Sequence, residues 1–327
     1  MFGPRRHALA LLPVAALLAG CDKTQNALAP ESHQAKDIAS LFWWMMGGAW
    51  IGLALIVGLL FLSWRRRGTA GPGNRKPDEK AAWRVVIVLG IVTPIVVIAA
   101  IFVIGDLFVI KSTEAPAAGS TRLTVEVIGH TWWWEVRYPG SPAVTANELH
   151  IPVNTPVRLE VRTDDVIHSF WVPRLNRTID AIPGRTNSIE LYADAPGRYR
   201  GQCDEFCGLQ HAHMAFYVYA DPPAAFRRWL AHQAQPVAAP PPRLFATAGC
   251  ADCHALRGTD AKSGVGPDLT HVGSRATLAA LTITNDKAEL EDWILHNQEI
   301  KPGNEMPDIQ ISRAQAAALA AYLEGLK

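Results

Sequence analysis

Two short stretches of this chain gather the residue types that hold redox metals. The first runs Gly201-Gln202-Cys203-Asp204-Glu205-Phe206-Cys207-Gly208-Leu209-Gln210-His211-Ala212-His213-Met214. It sets two thiols, an imidazole and a thioether, those of Cys203, Cys207, His211 and Met214, within twelve residues. Soft sulfur and borderline nitrogen donors in that mixture suit copper, and a bound metal would take the thiols as thiolates. A further imidazole stands 35 residues upstream, in His168-Ser169-Phe170-Trp171-Val172-Pro173. Three other uses of the same residues compete. Cys203 and Cys207 could close a disulfide, or a Cys₂His₂ zinc site could form and leave Met214 idle. A thiol copper chaperone would want a thioredoxin-like βαβ pattern, which is absent here.

The second stretch is Cys250-Ala251-Asp252-Cys253-His254, the spacing of covalent haem attachment. Two thiols add to the two vinyl groups, and the adjacent imidazole reaches the iron from one face. A zinc site would need a second cysteine pair here, and outside these two stretches only Cys21 remains. The opposite axial position has three candidates. Met306, in Asn304-Glu305-Met306-Pro307, is the only methionine after the motif; His271 and His296 are its rivals. Thioether ligation would raise the haem potential relative to two imidazoles. His130 and His150 lack metal-like spacing and read as structural groups; His213 lies in the donor-rich stretch and reads as a neighbouring surface group.

These donors need scaffolds of different kinds. Residues 120–222 read as β structure: Leu123, Val125 and Val127 alternate with polar neighbours, as do Val157, Leu159 and Val161. Seven prolines from Pro139 to Pro196 punctuate the segment as short strands of a sandwich or barrel require. A Pro/Ala linker over residues 231–243 then marks a boundary. In residues 244–327, Leu290, Trp293 and Ile294 share a helix face, as do Leu319, Tyr322, Leu323 and Leu326. Ser312 and Gln315 make a capping box for the last helix.

The N-terminal third is a membrane pattern. Residues 1–20 read as a signal peptide, with Arg5 and Arg6 before a short apolar run, and Leu18-Ala19-Gly20-Cys21 resembles a lipobox with Cys21 as the lipidated residue. After an exported segment, 21–40, residues 41–64 carry no charge and would span about 36 Å as a helix. Residues 85–110 form a second span, interrupted only by Pro94 and by Asp106 near its outer end. The loop between, 65–84, carries seven Lys/Arg and two acids, which puts it in the cytoplasm and both termini outside. Formal net charge is +1, which offers no case for a nucleic-acid partner.

The Cys-x-x-x-Cys-x-x-x-His-x-x-Met run, after the upstream His-Ser-Phe-Trp, resembles the binuclear copper centre of cytochrome c oxidase subunit II. The resemblance covers residues 21 to about 222 and takes in Gly129-His130-Thr131-Trp132-Trp133-Trp134 and Asp180-Ala181-Ile182-Pro183-Gly184-Arg185. Residues 244–327 are similar to a class I cytochrome c. The resemblance implies a multidomain membrane protein: a two-helix transmembrane hairpin, an all-β cupredoxin-like domain and an all-α cytochrome c domain. It implies that Cys203 and Cys207 bridge two coppers, with His168 and Met214 completing one ion and His211 and the Glu205 carbonyl the other. The Glu205 side chain would help hold magnesium at the subunit I interface, and Trp132 would be the tryptophan where electrons enter. Cys250 and Cys253 would carry a covalent haem c, with His254 and Met306 on its iron. Implied partners are subunit I, subunit III and a soluble cytochrome c or similar donor, at the inner membrane of a bacterial cell. The implied activity is that of a cytochrome c oxidase subunit whose oxygen chemistry lies in subunit I. The spacing from Trp83 to Pro94 departs from the family's pattern, so no proton-uptake role passes to Glu79. A membrane-tethered electron shuttle without a fixed partner and the small subunit of a copper-containing nitric oxide reductase remain as competing functions.

Overall fold

The computed structural model describes residues 24–67 and 78–327. The expected signal peptide, Cys21 and the middle of the expected cytoplasmic loop lie outside the described residues. Two helices, α1 (His33–Arg67) and α2 (Glu79–Thr113), are long and apolar enough to cross a membrane. Pro94 cannot donate a backbone hydrogen bond, and just before it α2 widens into a π-helical turn at Val88–Val92. Thr93 Oγ1 donates to the Val88 carbonyl at 2.8 Å there. Residues 36–114 form one compact unit, and residues up to 35 together with 115–327 form the other.

Within the second unit, ten strands build two five-stranded sheets. One has the order β3 (Val144–Ala146), β2 (Trp133–Arg137), β1 (Thr124–His130), β5 (Val157–Thr163), β8 (Asn187–Leu191). The other runs β4 (Glu148–Pro152), β10 (Ala215–Asp221), β9 (Gly197–Cys203), β6 (His168–Trp171), β7 (Ile179–Ala181). The expected alternation holds on β5, where Val157, Leu159 and Val161 are buried and Arg158, Glu160 and Arg162 are not. Val125, Val127, Trp134, Leu149, Ile151 and Ile189 close the core between the sheets. The sandwich is the all-β domain anticipated above.

Helix α3 (Pro223–Gln233) leaves the sandwich with Trp229 stacked on His150, ring centroids 3.9 Å apart. The proline-rich chain that follows lies along the C-terminal lobe. Arg257 donates to the Gln233 carbonyl at 2.5 Å, Val237 N to Arg257 O at 3.0 Å, and Tyr322 Oη to Ala239 O at 3.1 Å. The lobe itself contains α4 (Arg243–Thr247), α5 (Cys250–Cys253), a small hairpin of β11 (Thr277–Leu278) and β12 (Ile283–Thr284), α6 (Lys287–Ile300) and α7 (Arg313–Glu324). Asp286 caps α6 by accepting from Ala288 N and Glu289 N, and the expected Ser312/Gln315 capping box starts α7. Phe245, Leu256, Leu290, Ile294, Leu319 and Leu323 form its core.

Candidate metal and haem sites

The first site lies at one end of the sandwich. β6 begins at His168, β9 ends at Cys203, and the loop between β9 and β10 carries Glu205, Cys207, His211 and Met214. Cys203 Sγ lies 3.9 Å from His168 Nδ1, 3.2 Å from the Glu205 carbonyl oxygen and 3.8 Å from Cys207 Sγ. Cys207 Sγ in turn lies 3.6 Å from His211 Nδ1 and 3.8 Å from Met214 Sδ. All six groups singled out in the sequence therefore converge. Both thiols are free, and His168, Cys203 and Cys207 form a buried cluster able to hold a metal.

The charge balance also suits a cation. The two close thiols split their titration, Cys203 lowered and Cys207 raised. A cation beside both would favour the second thiolate. His213, by contrast, turns its Nδ1 to Gln210 Oε1 at 2.8 Å and stays exposed. His130 pairs with Glu135 at 3.2 Å and His150 with Asp221 at 2.7 Å, as structural histidines do.

Asp165 is a positioning group that the sequence reading passed over. Its Oδ1 lies 2.7 Å from His168 Nε2, and its Oδ2 accepts from Thr131 N at 2.6 Å and Thr131 Oγ1 at 2.9 Å. Burial raises the Asp165 carboxyl, but the hydrogen bonds from His168 and Thr131 outweigh it and hold it well below the usual carboxylate range. The carboxylate thus turns Nδ1 of His168 toward the thiols and leashes the segment that carries Trp132. On the other side of the ring, a Cβ on Gly129 would come within 2.7 Å of His168 Cδ2, so only glycine lets the imidazole seat. The sole sequence cue for Asp165 is its place three residues before His168.

The second site is an open cleft lined mainly by the C-terminal lobe, with Thr131, Trp132 and Trp133 of the sandwich at its edge. Cys250, Cys253 and His254 line it together with Met306, and Leu290, Ile294, Leu319 and Leu323 supply apolar walls. The Nδ1–H of His254 can donate to the Pro267 carbonyl at 2.8 Å, which leaves Nε2 as the free nitrogen. Burial pushes His254 down, toward the neutral form that binds a metal. Met306 is held by its backbone: its N–H donates to Asn304 Oδ1 at 2.9 Å, and Gln298 Nε2 donates to its carbonyl at 2.8 Å. The rival histidines are engaged elsewhere, His271 with the Lys327 and Gln235 carbonyls and His296 with Asp292. Arg275 Nε and Thr277 Oγ1 are buried at the cleft without a hydrogen-bond partner. An apolar slot with two thiols, an imidazole, a thioether and orphaned donors fits a haem with its propionates.

The two sites adjoin. Trp132 lines the cleft, and its indole Nε1–H donates to the Cys207 carbonyl at 2.8 Å. Gln210 Nε2 donates to Pro302 O at 2.9 Å and Ala276 N to Glu148 Oε1 at 2.7 Å across the same junction. Lys301 is buried there; desolvation disfavours its charge, and three backbone carbonyls that accept from its Nζ favour it.

Comparison with known proteins agrees with this division. Residues 141–220 match the family model for the periplasmic domain of cytochrome c oxidase subunit II, and residues 239–327 match that for cytochrome c. A cytochrome c oxidase subunit 2 of Alkalihalophilus pseudofirmus is 33% identical over 332 residues, 95% of this chain and 94% of that protein. Another, from a Bacillus species, is 28% identical over 80% of each. Among solved structures, the periplasmic domain of subunit II of the Bradyrhizobium japonicum cytochrome oxidase is 32% identical, covering 34% of this chain and 93% of its own, with a TM-score of 0.33.

Proposed function

The chain belongs to the cytochrome c oxidase subunit 2 family, and from that premise we propose a route for electrons through it. They arrive from a soluble donor at the C-terminal cytochrome c domain, cross to the copper domain, and leave for the haem of subunit I. There dioxygen is reduced to water, coupled to proton pumping. The observation that carries the route is Trp132, whose ring lines the cleft while its N–H bonds the carbonyl of Cys207.

In this reading Cys203, Cys207, His168, His211, Met214 and the Glu205 carbonyl would hold a copper pair that supplies a one-electron site. Cys250 and Cys253 would attach haem c covalently, with His254 and Met306 available to its iron. When bound, the haem and the copper pair each supply a one-electron acceptor of low reorganisation energy. The chain's own residues do the rest. Asp165 orients His168, the buried core excludes water, and the Trp132 side chain spans from one site to the other. The Glu205 side chain is exposed beside Phe206, which is 76% exposed, so this edge suits subunit I and the magnesium ion shared with it. Subunit III completes the assembly. The two apolar helices anchor the chain in the bacterial inner membrane, with both termini periplasmic and Cys21 lipidated.

The C-terminal lobe, residues 244–327, holds eleven acids and seven Lys/Arg, a net charge near −4. A basic donor would be steered to it, and turnover with that donor should fall as salt rises. The direct test is rapid reduction of the intact oxidase by its donor without oxygen. The haem should reduce first and the copper second. Trp132→Ala should slow the second step at least tenfold with both spectra retained. Copper reduction at the native rate in that variant would sink the route.

A further inference from the structure

Lys301 stands between the two sites, and neither uses it as a ligand. It follows α6 directly, is 3% exposed, and its Nζ donates at 2.9 Å to each of three carbonyl oxygens, those of Trp132, His213 and Ala279. An ammonium has three N–H donors and no acceptor, so its capacity is used in full. Among the described residues no carboxylate pairs with it; backbone dipoles alone carry the charge.

The three carbonyls come from three places that folding must bring together. Trp132 lies in the turn between β1 and β2, and His213 immediately precedes Met214 in the metal-binding loop. Ala279 belongs to the lobe itself, in the β11–β12 turn, where Ala279, Ala280 and Leu281 all take left-handed backbone conformations (φ 51, 57 and 66). Residues with a Cβ adopt that conformation at a cost, and here it turns the Ala279 carbonyl to the lysine. The following residues drive into the same corner. Pro302 O accepts from Gln210, and a Cβ on Gly303 (φ +79) would sit 3.0 Å from Leu209 Cδ2.

We propose that Lys301 is a positioning residue for electron transfer between the two sites: its ammonium locks the haem-binding lobe onto the metal-binding loop and the Trp132 backbone. The inference rests on the route proposed above and adds what holds its two halves at one separation. Tunnelling falls off exponentially with distance, so a lobe that swung on its linker would transfer slowly and unevenly. A buried charge–dipole latch is also shielded from mobile ions, unlike docking by surface charge.

The test uses the intact oxidase, comparing the native protein with Lys301→Met and Lys301→Arg. Transfer from haem to copper is timed after rapid photoreduction of the haem, at low and high salt. Hydrogen exchange over residues 131–134 and 300–305 and the copper potential are read on the same samples. The native rate should be independent of salt. Lys301→Met should slow transfer at least tenfold, deprotect both segments and lower the copper potential, because a nearby cation favours the reduced centre. Haem and copper spectra should persist. Native rate and native protection in Lys301→Met would overturn the latch, as would a native rate that falls with salt. Should Lys301→Met fail to assemble, Lys301→Arg decides. A guanidinium cannot set one nitrogen among three carbonyls, so a native rate and native protection there would overturn the latch, and a slowed rate would support it. Absence of haem-to-copper transfer in the native oxidase would instead defeat the route, while the exchange difference would still report on the latch.

Discussion

In the sandwich, six donor groups converge on a site walled by a closed core, whereas in the C-terminal lobe Cys250, Cys253, His254 and Met306 line an open cleft. Trp134 illustrates the first arrangement. It is fully buried and packs edge-on to His168, Phe170 and Phe216 at 5.7–5.8 Å, so the metal loop rests on side chains already in contact. In the lobe, the buried core residues Leu290, Ile294 and Leu319 also form the wall of the cleft. On the proposed reading, the metal would add little to a core that the sandwich already closes, whereas a haem in the cleft would extend the core of the lobe.

The sharpest way to break this contrast is to deny the lobe its haem. Cys250→Ala with Cys253→Ala should remove most of the lobe's stability, on the order of 4 kcal/mol or more for a domain of this size. Calorimetry should then lose one transition and keep that of the sandwich; a lobe that melted as before would refute the cofactor-as-core account. A middling effect is expected at Asp165. Asp165→Ala should weaken copper binding roughly 10–100-fold, about 1.4–2.8 kcal/mol, through a loosened His168, yet leave the melting of the metal-free sandwich nearly unchanged. Copper titration followed by melting of the stripped protein checks both halves. The smallest effect belongs to Asn297, which is fully buried, donates to the Pro307 carbonyl at 3.2 Å and accepts from Asn304 at 3.1 Å. Asn297→Ala should cost about 1–3 kcal/mol and weaken thioether ligation, visible as partial loss of the iron–sulfur absorption band. An unchanged band would mean that the Met306 loop holds its shape without this side chain.

Much of the chemistry was legible in the residues because cofactor ligation is local. A four-residue step from Cys203 to Cys207 and again to His211, or the adjacency of Cys253 and His254, is set by how far a loop can reach around one ion or one ring. The β alternation was equally legible, since a strand exposes its two faces in turn whatever it packs against. Asp165, Arg275, Asn297 and Lys301 were not. Each is an ordinary polar residue in sequence, and its role depends on which carbonyl, ring or thiol another part of the chain brings within 3 Å. Lys301 is one of 31 lysines and arginines, and nothing adjacent to it announces that Trp132 and His213 will face it.

The sequence by itself therefore determined the candidate donors, the β and helical characters of the sandwich and the C-terminal lobe, and the pair of apolar helices, all of which depend on spacing along one segment. The proline-rich stretch read as a linker, but its path was decided in three dimensions: Arg257 and Tyr322 hold it against the lobe. Only the tertiary structure decided that the end of α6 meets the β1–β2 turn, that Trp132 lines the cleft while its N–H bonds the Cys207 carbonyl, and that Lys301 bonds carbonyls of both lobes. Those relations join residues 169 and 88 positions apart. Packing of sheets and helices sets such distances, and no local pattern of residue types records them.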